Sequence, residues 1–271
     1  MRKRVVRMNK SLAVAKVYCK TQLIWRFDLA FKVIFTITKI LFAYVLWSTI
    51  FENQAEIGGF TFGGMLSYYV IQSFLSNLDA SRSVSEDMNN QIRGGTFSKY
   101  MILPINIQRY YVSKTLGSLV TYFFLSIVAT LMWVIIFQVP LLLTGEIKLI
   151  LGAVLLFMGS AYFMIQFHYF IGLLAFIFQN IWLFIMIESN LMSFISGGII
   201  PLVLLPSAVV EVIKLLPFYY SSYLPTMLLM GRNDEELGKG IVIVALWIMA
   251  FKFINHYLYQ RLRVRYDGVG I

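Results

Sequence analysis

Lys39 and Glu188 are ionisable residues deep inside long apolar stretches of the chain. A charged side chain within a membrane is costly and usually faces a partner or a water-filled path. Lys39 follows Lys32 by seven residues, which places it on nearly the same helix face and roughly 10 Å further along. Glu188 is expected at a similar depth. The sequence therefore predicts that Lys39 and Glu188 pair, lining a solute path or bracing two membrane spans. The alternative is that water or the membrane interface solvates each one separately.

Residues suited to catalysis or metal binding are scarce. His168 and His256 have no cysteine companions and no carboxylate at ligand spacing, so we interpret both as polar residues near the membrane interface. The single Cys19 excludes an internal disulfide and a multi-cysteine metal site. The stretch from Gly231 to Gly240 imitates a phosphate-binding loop, but its spacing is wrong and it lacks the hydroxyl residue. We therefore predict a chain that is not an enzyme, with no catalytic residues, no metal site and no bound cofactor.

The elements that position these residues are membrane helices. The chain has 271 residues, 59% of them hydrophobic and 13% charged, whereas a soluble domain has about 25% charged residues. Several apolar runs approach the roughly 20 residues that cross a bilayer. The sequence predicts an all-α integral membrane protein, residues 1–271 forming a single transmembrane domain with six transmembrane helices. The six are expected at residues 29–50, 60–78, 116–137, 149 to between 167 and 178, 181–205 and 240–259.

Basic residues collect in alternate extramembrane segments, which predicts the orientation. Lysine and arginine are concentrated before the first span, between the second and third, and after the sixth, while the opposite loops are acidic. By the positive-inside rule both termini are cytoplasmic, in a multi-pass protein of the cell membrane, by expectation the bacterial plasma membrane. The net charge of +10 is explained by this topology and by anionic membrane lipid, so no nucleic-acid partner is expected.

Residues 1–28 form a basic segment with an amphipathic pattern. Val5, Val6, Leu12, Val14 and Val17 are available to face lipid. We predict a cytoplasmic elbow helix that lies on the inner leaflet and leads into the first span. The alternative is a partly ordered basic arm that only enforces topology.

The longest extramembrane segment, residues 79–115, has the pattern of two capped helical pieces. Ser83 and Glu86 have capping-box spacing. Val84, Met88 and Ile92 recur every fourth residue and predict one apolar stripe. Gly94 and Gly95 end the first piece, because glycine readily takes the left-handed conformation, and a second piece with Phe97, Tyr100 and Met101 stops before Pro104. Such a stripe enters a partner protein or lies on lipid headgroups.

Prolines and tyrosines mark residues 205–231. Pro206, Pro217 and Pro225 interrupt regular helix, and "SAVVEVIKLL" has an amphipathic pattern. We predict a re-entrant or interfacial segment on the extracellular side, with tyrosines near the headgroups. An aromatic belt without a gating role is the alternative.

Four stretches together resemble the permease subunits of type-2 ATP-binding-cassette exporters. They are "IRGGTFSKYMILP" after the second span, "SGGIIPLVLLP" in the fifth, "LLPFYYSSYLPTMLLMG" after it and the terminal "RLRVRYDGVG". Their order, the six spans and the cytoplasmic termini carry the resemblance, which covers most of the chain. Two positions depart from the pattern, Leu103 where a basic residue is common and Gly268 where serine is usual.

The resemblance implies a membrane subunit that forms half of a translocation path. It would pair with a second permease, identical or related, above two ATPase subunits that bind ATP and Mg. Residues 79–115 would supply a coupling helix to an ATPase groove, residues 261–271 a cytoplasmic tail, and residues 205–231 the outward closure. A secondary transporter or a membrane scaffold without ATP coupling is the alternative. The residues assigned to ATPase coupling are Ser83, Val84, Glu86, Met88, Ile92, Arg93, Gly94, Gly95, Tyr100 and Pro104. Those assigned to the outer gate are Pro206, Pro217, Tyr219, Tyr220, Tyr223 and Pro225.

Overall fold

The computed structural model describes residues 2–22, 24, 26–102, 106–178 and 180–265. Pro104 and most of the predicted tail lie outside these ranges. The described part of the chain is mostly helical and contains no β-strand, only an isolated bridge between Ile57 and Phe60. Its α-helices are α1 (Arg2–Gln22), α2 (Arg26–Phe51), α3 (Phe62–Asn77), α4 (Arg82–Arg93), α5 (Ser98–Ile102), α6 (Ile107–Phe137), α7 (Ile147–Leu173), α8 (Trp182–Ile195), α9 (Ser207–Lys214), α10 (Tyr223–Leu229) and α11 (Glu236–Leu262).

Four stretches of the described chain are helical, long and apolar enough to cross a membrane: Leu29–Phe51, Ile107–Phe137, Ile147–Phe176 and Glu236–Leu262. They match the first, third, fourth and sixth predicted spans. The other two spans correspond to α3, with 16 residues, and α8, with 14, both shorter than the roughly 20 residues of a full crossing. After α8 the chain turns, so residues 181–205 are only partly helical.

Helix α7 is the central element of the fold. It packs along α11 and also contacts α4 and α10. Two glycines permit close approach: Gly172 faces Met88 of α4, and Gly152 faces Leu237 of α11. Small residues at helix contacts let backbones come together in a membrane, where the hydrophobic effect does not drive association.

Helices α2, α3 and α6 form a second group. Ile40 of α2, Val70 of α3 and Trp133 of α6 are buried together. The contact continues along the helices, since Lys32 lies 3.5 Å above the Tyr122 ring. Helices α2 and α7 therefore stand in different groups, and the space between them is where the candidate site lies.

Helix α1 packs against α6. Gly117 faces the Ala15 backbone so closely that any side chain would collide with it. Gln22 Nε2 donates to Ser118 Oγ at 3.2 Å, and Cys19 Sγ lies 3.8 Å from Thr121 Oγ1. These contacts favour an ordered helix docked on the protein over a partly ordered arm. The placement of α1 on the inner leaflet stays a prediction.

Candidate functional site

Polar side chains line a cavity of about 480 Å³ between α2, α3, α7 and α8. Asp79 and Arg82 lie at one end, where α3 leads into α4. Ser196 and Ser222 lie at the other. A volume of this size is in the range of small-molecule sites, roughly 300–1,000 Å³. The described chain thus holds a polar cavity inside an otherwise apolar group of helices.

Lys39 and Glu188 both line this cavity, but they do not pair. Lys39 Nζ donates to Gln72 Oε1 at 3.2 Å, and Gln72 Nε2 donates to Ser76 Oγ at 2.9 Å. Glu188 Oε1 lies 3.7 Å from His168 Nε2. The predicted direct ion pair is therefore wrong in this conformation, because Gln72 takes the place next to Lys39 and His168 the place next to Glu188. Both residues line this one cavity, and its use as a solute path stays a prediction.

His168 connects the cavity to α4. The ring is buried, its Nδ1 lies 3.1 Å from Ser85 Oγ, and the Ser85 hydroxyl donates to Arg82 O at 2.9 Å. With that hydroxyl hydrogen used, the imidazole Nδ1–H is the donor to Ser85 Oγ. His168 is therefore an interior residue that joins α4, α7 and α8, and the interpretation as an interface residue is wrong.

Tyrosines pack behind the end of the cavity wall that holds Ser196 and Gly198. Tyr68 donates its hydroxyl to Gly197 O at 2.8 Å, and the rings of Tyr68 and Tyr223 lie 6.0 Å apart. Tyr219 donates to Glu236 Oε2 and Tyr220 to Lys214 O, each at 2.7 Å. All four are almost fully buried. A belt at the headgroups would leave such rings at the surface, so the tyrosines of this segment are packed core residues.

The three prolines of this region stand at or near helix starts. Pro206 directly precedes α9, Pro217 begins the 3₁₀ helix Pro217–Tyr220, and Pro225 lies in the first turn of α10. Proline is tolerated at these positions because its missing N–H has no helical partner there. The predicted breaks at Pro206 and Pro217 are therefore confirmed, as is the short amphipathic helix between them, whereas the break predicted at Pro225 is wrong because this proline lies within the first turn of α10.

Gly197 is a requirement of this packing. Its φ is +70°, and a side chain would contact the Tyr68 hydroxyl and come within 2.6 Å of the Tyr223 ring. Glycine adopts positive φ without steric cost. Close packing against Tyr68 and Tyr223 therefore explains this glycine.

The apolar stripe of the α4 loop is covered by this chain itself. Val84 and Met88 are fully buried and Ile92 is 9% exposed, in one core with Tyr100, Tyr111 and Tyr169. The prediction that this stripe faces an ATPase groove is therefore wrong for the described conformation. The α7 helix supplies the apolar cover, with Met88 against Gly172. The stripe fixes α4 to the membrane domain.

The predicted capping box is also absent. Helix α4 begins at Arg82 after Ser81, and Asp79 Oδ1 accepts the Ser81 amide at 2.8 Å. Ser83 donates to Ala80 O, and Glu86 pairs with Arg82 at 3.0 Å instead of reaching back to a free amide. Asp79 takes the Ser81 amide, while Ser83 and Glu86 bond to Ala80 O and to Arg82, so neither residue of the predicted box caps the helix.

The glycine stop after α4 agrees with the prediction. Gly94 ends the helix, Gly95 has φ +69°, and α5 follows at Ser98. The solvent-facing side of this loop is polar and basic, with two exposed apolar residues. It consists of Arg82, Glu86, Asn90, Arg93, Gly94, Thr96, Lys99, Met101 and Ile102.

Sequence reasoning missed Ser85, Gln72 and the role of His168. Ser85 and His168 are 83 positions apart, and no local periodicity reports such a contact. Ser85 follows Val84 directly in a helix with a predicted apolar stripe, which indicates that Ser85 lies beside the buried face. Gln72 lies in the second predicted span, and its side-chain amide oxygen accepts the hydrogen bond from Lys39.

Comparison with known proteins identifies one family. Residues 36–270 match the family model described as ABC-2 family transporter protein. No curated protein matches the chain, and no solved structure does. The match extends from within α2 to beyond α11, so it includes every helix that lines the cavity. The chain is therefore a membrane permease subunit of the ABC-2 transporter family.

Proposed function

We propose that this chain forms half of the translocation path of an ATP-driven exporter. The observation that carries the proposal is the cavity between α2, α3, α7 and α8, with its many polar side chains and with buried tyrosines packed behind one end. Family membership supports a permease component, and the cavity supplies a place for a solute between apolar helices. In the proposed orientation, Asp79 and Arg82 mark the cytoplasmic entrance and the Tyr68–Tyr223 contact marks the outer closure.

A second permease subunit, identical or related, covers the open side of the cavity. Lys39 lies in the middle of a spanning helix, yet its side chain is exposed on the isolated chain. An uncovered ammonium in the hydrocarbon is costly. Helix α8 buries only Ile185, Glu188 and Ile195, and leaves Trp182, Leu183 and Leu191 exposed. A partner permease against α2 and α8 would cover these apolar residues and enclose Lys39.

Two ATPase subunits supply the energy, holding ATP and Mg, and they dock on the cytoplasmic loop that carries α4 and α5. The docking face is the exposed side of the loop, where Arg93 and Lys99 flank Met101 and Ile102. The buried stripe fixes α4 to α7. A movement of α4 that follows ATPase docking must therefore also move α7. The contacts of His168 with Ser85 and with Glu188 connect α4 to the cavity wall.

Six spans with both termini in the cytoplasm complete the arrangement in the cell membrane. In it α3 and α8 serve as the second and fifth spans, and the non-helical stretch after α8 with α9 and α10 fills the outer half. Helix α1 lies on the inner leaflet with Leu12 and Val17 toward lipid. Irregular backbone is tolerated at membrane depth where protein surrounds it.

Purification of the native complex tests the proposal. The chain is tagged at its amino terminus, extracted from native membranes and its associated subunits are identified by mass spectrometry. We expect an ATPase subunit and a second permease copy or relative in equal amounts. Recovery without an ATPase, with solute movement that follows an ion gradient, would establish a secondary transporter. Recovery of a complex that moves no solute would establish a scaffold.

A further inference from the structure

The cavity carries two groups of opposite chemistry, Lys39 and Glu188, that do not contact each other. The Lys39 amine meets the neutral Gln72 amide at 3.2 Å, and the Glu188 carboxyl meets the His168 ring at 3.7 Å. They come from different helices, α2 and α8, and no ion pair joins them. A charge held away from water is costly unless paired. A solute that brings an anionic group to Lys39 and a cationic group to Glu188 would lower that cost.

Two other charged groups line the cavity, Arg82 and Asp79. Arg82 pairs with Glu86 at 3.0 Å and donates to Ser189 Oγ at 3.3 Å. Asp79 accepts the Ser81 amide. These contacts hold the entrance together. Arg82 thus has a carboxylate partner of its own, whereas the amide contact of Asp79 leaves its charge in place. Asp79 and Glu188 therefore both offer a carboxylate to a solute, and Lys39 offers an ammonium.

Hydroxyl and amide groups occupy much of the remaining wall. They can bond the amide and carbonyl groups of a solute, while Leu75, Phe157, Met164, Met192 and Ile199 give the wall a substantial apolar share. The principal ones are Ser76, Ser189, Asn190, Ser193, Ser196 and Ser222.

We propose that this cavity binds a small zwitterion, specifically a short peptide with free ends. Its carboxylate meets Lys39, its ammonium meets Glu188, and its backbone amides meet the serine and asparagine side chains. A solute with a cation alone leaves Lys39 without a partner, and one with an anion alone does the same to Glu188. The assignment rests on the proposed function of the cavity as a translocation path.

Binding of end-blocked peptides tests the assignment. The probe is a tritiated mixture of tripeptides built from alanine, serine, leucine and phenylalanine, so that only the ends are charged. It is compared with the N-acetylated and the C-amidated forms of the same mixture, on the purified complex in lipid nanodiscs. We expect the free form to be retained at least about tenfold better than either blocked form, because each block leaves one charged side chain unpaired.

Two substitutions assign the ends. Lys39→Gln is expected to remove the discrimination against the amidated form, and Glu188→Gln the discrimination against the acetylated form. Lys32→Gln and Glu211→Gln are the matched controls, since neither residue lines this cavity, and both should retain the wild-type preference.

The outcomes separate this inference from the proposed function. Equal retention of the three forms, or retention of none by a complex that keeps its ATPase and hydrolyses ATP, overturns the zwitterion site. If no ATPase accompanies the chain, the ATP-driven export proposal fails. Peptide binding is then measured on the purified chain without an ATPase. A preference for free ends supports the site, and no preference rejects it.

Discussion

Ser85 Oγ lies 3.1 Å from His168 Nδ1, and both residues are buried where α4 crosses α7. The other ring nitrogen of His168 faces Glu188 on α8 at 3.7 Å. Three helices thus meet through one imidazole, which links the loop that we propose to dock on an ATPase with the wall of the cavity. A displacement of α4 must be accommodated at this ring, because the surrounding core is closely packed.

Replacing Ser85 with alanine is expected to weaken this link. The His168 N–H loses its acceptor, which costs about 1–3 kcal/mol for a buried donor left unsatisfied. The protein should unfold at a lower temperature in detergent, and solute-stimulated ATP hydrolysis by the complex should fall further than basal hydrolysis. Ser83→Ala is the control, because that hydroxyl bonds only within its own turn. Equal behaviour of the two variants would exclude a coupling role for Ser85.

Met88→Asp is expected to damage the fold of this chain. The carboxylate would enter a fully buried site against Gly172, at a cost on the order of several kcal/mol when unpaired. Membrane-inserted protein should drop sharply, as measured by fluorescence-detected size-exclusion chromatography.

Arg93→Glu is the matched change on the exposed side of α4. It should leave that chromatographic profile intact and reduce the amount of ATPase that co-purifies. A Met88→Asp protein that is stable but lacks its ATPase would return the apolar stripe to the role of a docking face.

Part of the fold and site follows from the sequence, and the limits have physical causes. Apolar length identifies the four long spans, and the cost of a charge in hydrocarbon singles out Lys39 and Glu188. The stripe of Val84 and Met88 shows that a face is buried but not by what, since a partner groove and the chain's own α7 require the same periodicity. His168 could not be placed, because its partners are distant in sequence.

Gly197→Ala is expected to destabilise the tyrosine packing behind one end of the cavity. The left-handed backbone and the contact with Tyr223 make any side chain unfavourable, by about 1–3 kcal/mol for the backbone conformation. Thermal unfolding in detergent measures the loss. Gly145→Ala is the control, since Gly145 has open space around it. An unchanged unfolding temperature for Gly197→Ala would show that this packing tolerates displacement of its tyrosines.

Gly117→Val is expected to separate α1 from α6. The new side chain would collide with the Ala15 backbone, and the nearby contact between Cys19 and Thr121 would be lost. Cys19 is the single cysteine of the chain, so its rate of maleimide labelling reports the displacement directly. We expect labelling to be several-fold faster than in the wild type. Gly238→Ala, at an open position of α11, should leave the rate unchanged, and an unchanged rate in Gly117→Val would show that α1 is held by other contacts.

The proposed orientation predicts which loops an impermeant thiol reagent reaches. With Cys19 replaced by serine, cysteines are introduced singly at Glu56, Asn90 and Asp234, which are all exposed. Glu56 and Asp234 belong to the acidic loops and should be labelled in intact cells, because basic loops stay on the cytoplasmic side. Asn90 lies in the basic loop on α4 and should be labelled only after permeabilisation. Labelling of Asn90 in intact cells would reverse the orientation and remove the proposed ATPase docking face from the side where ATP is found.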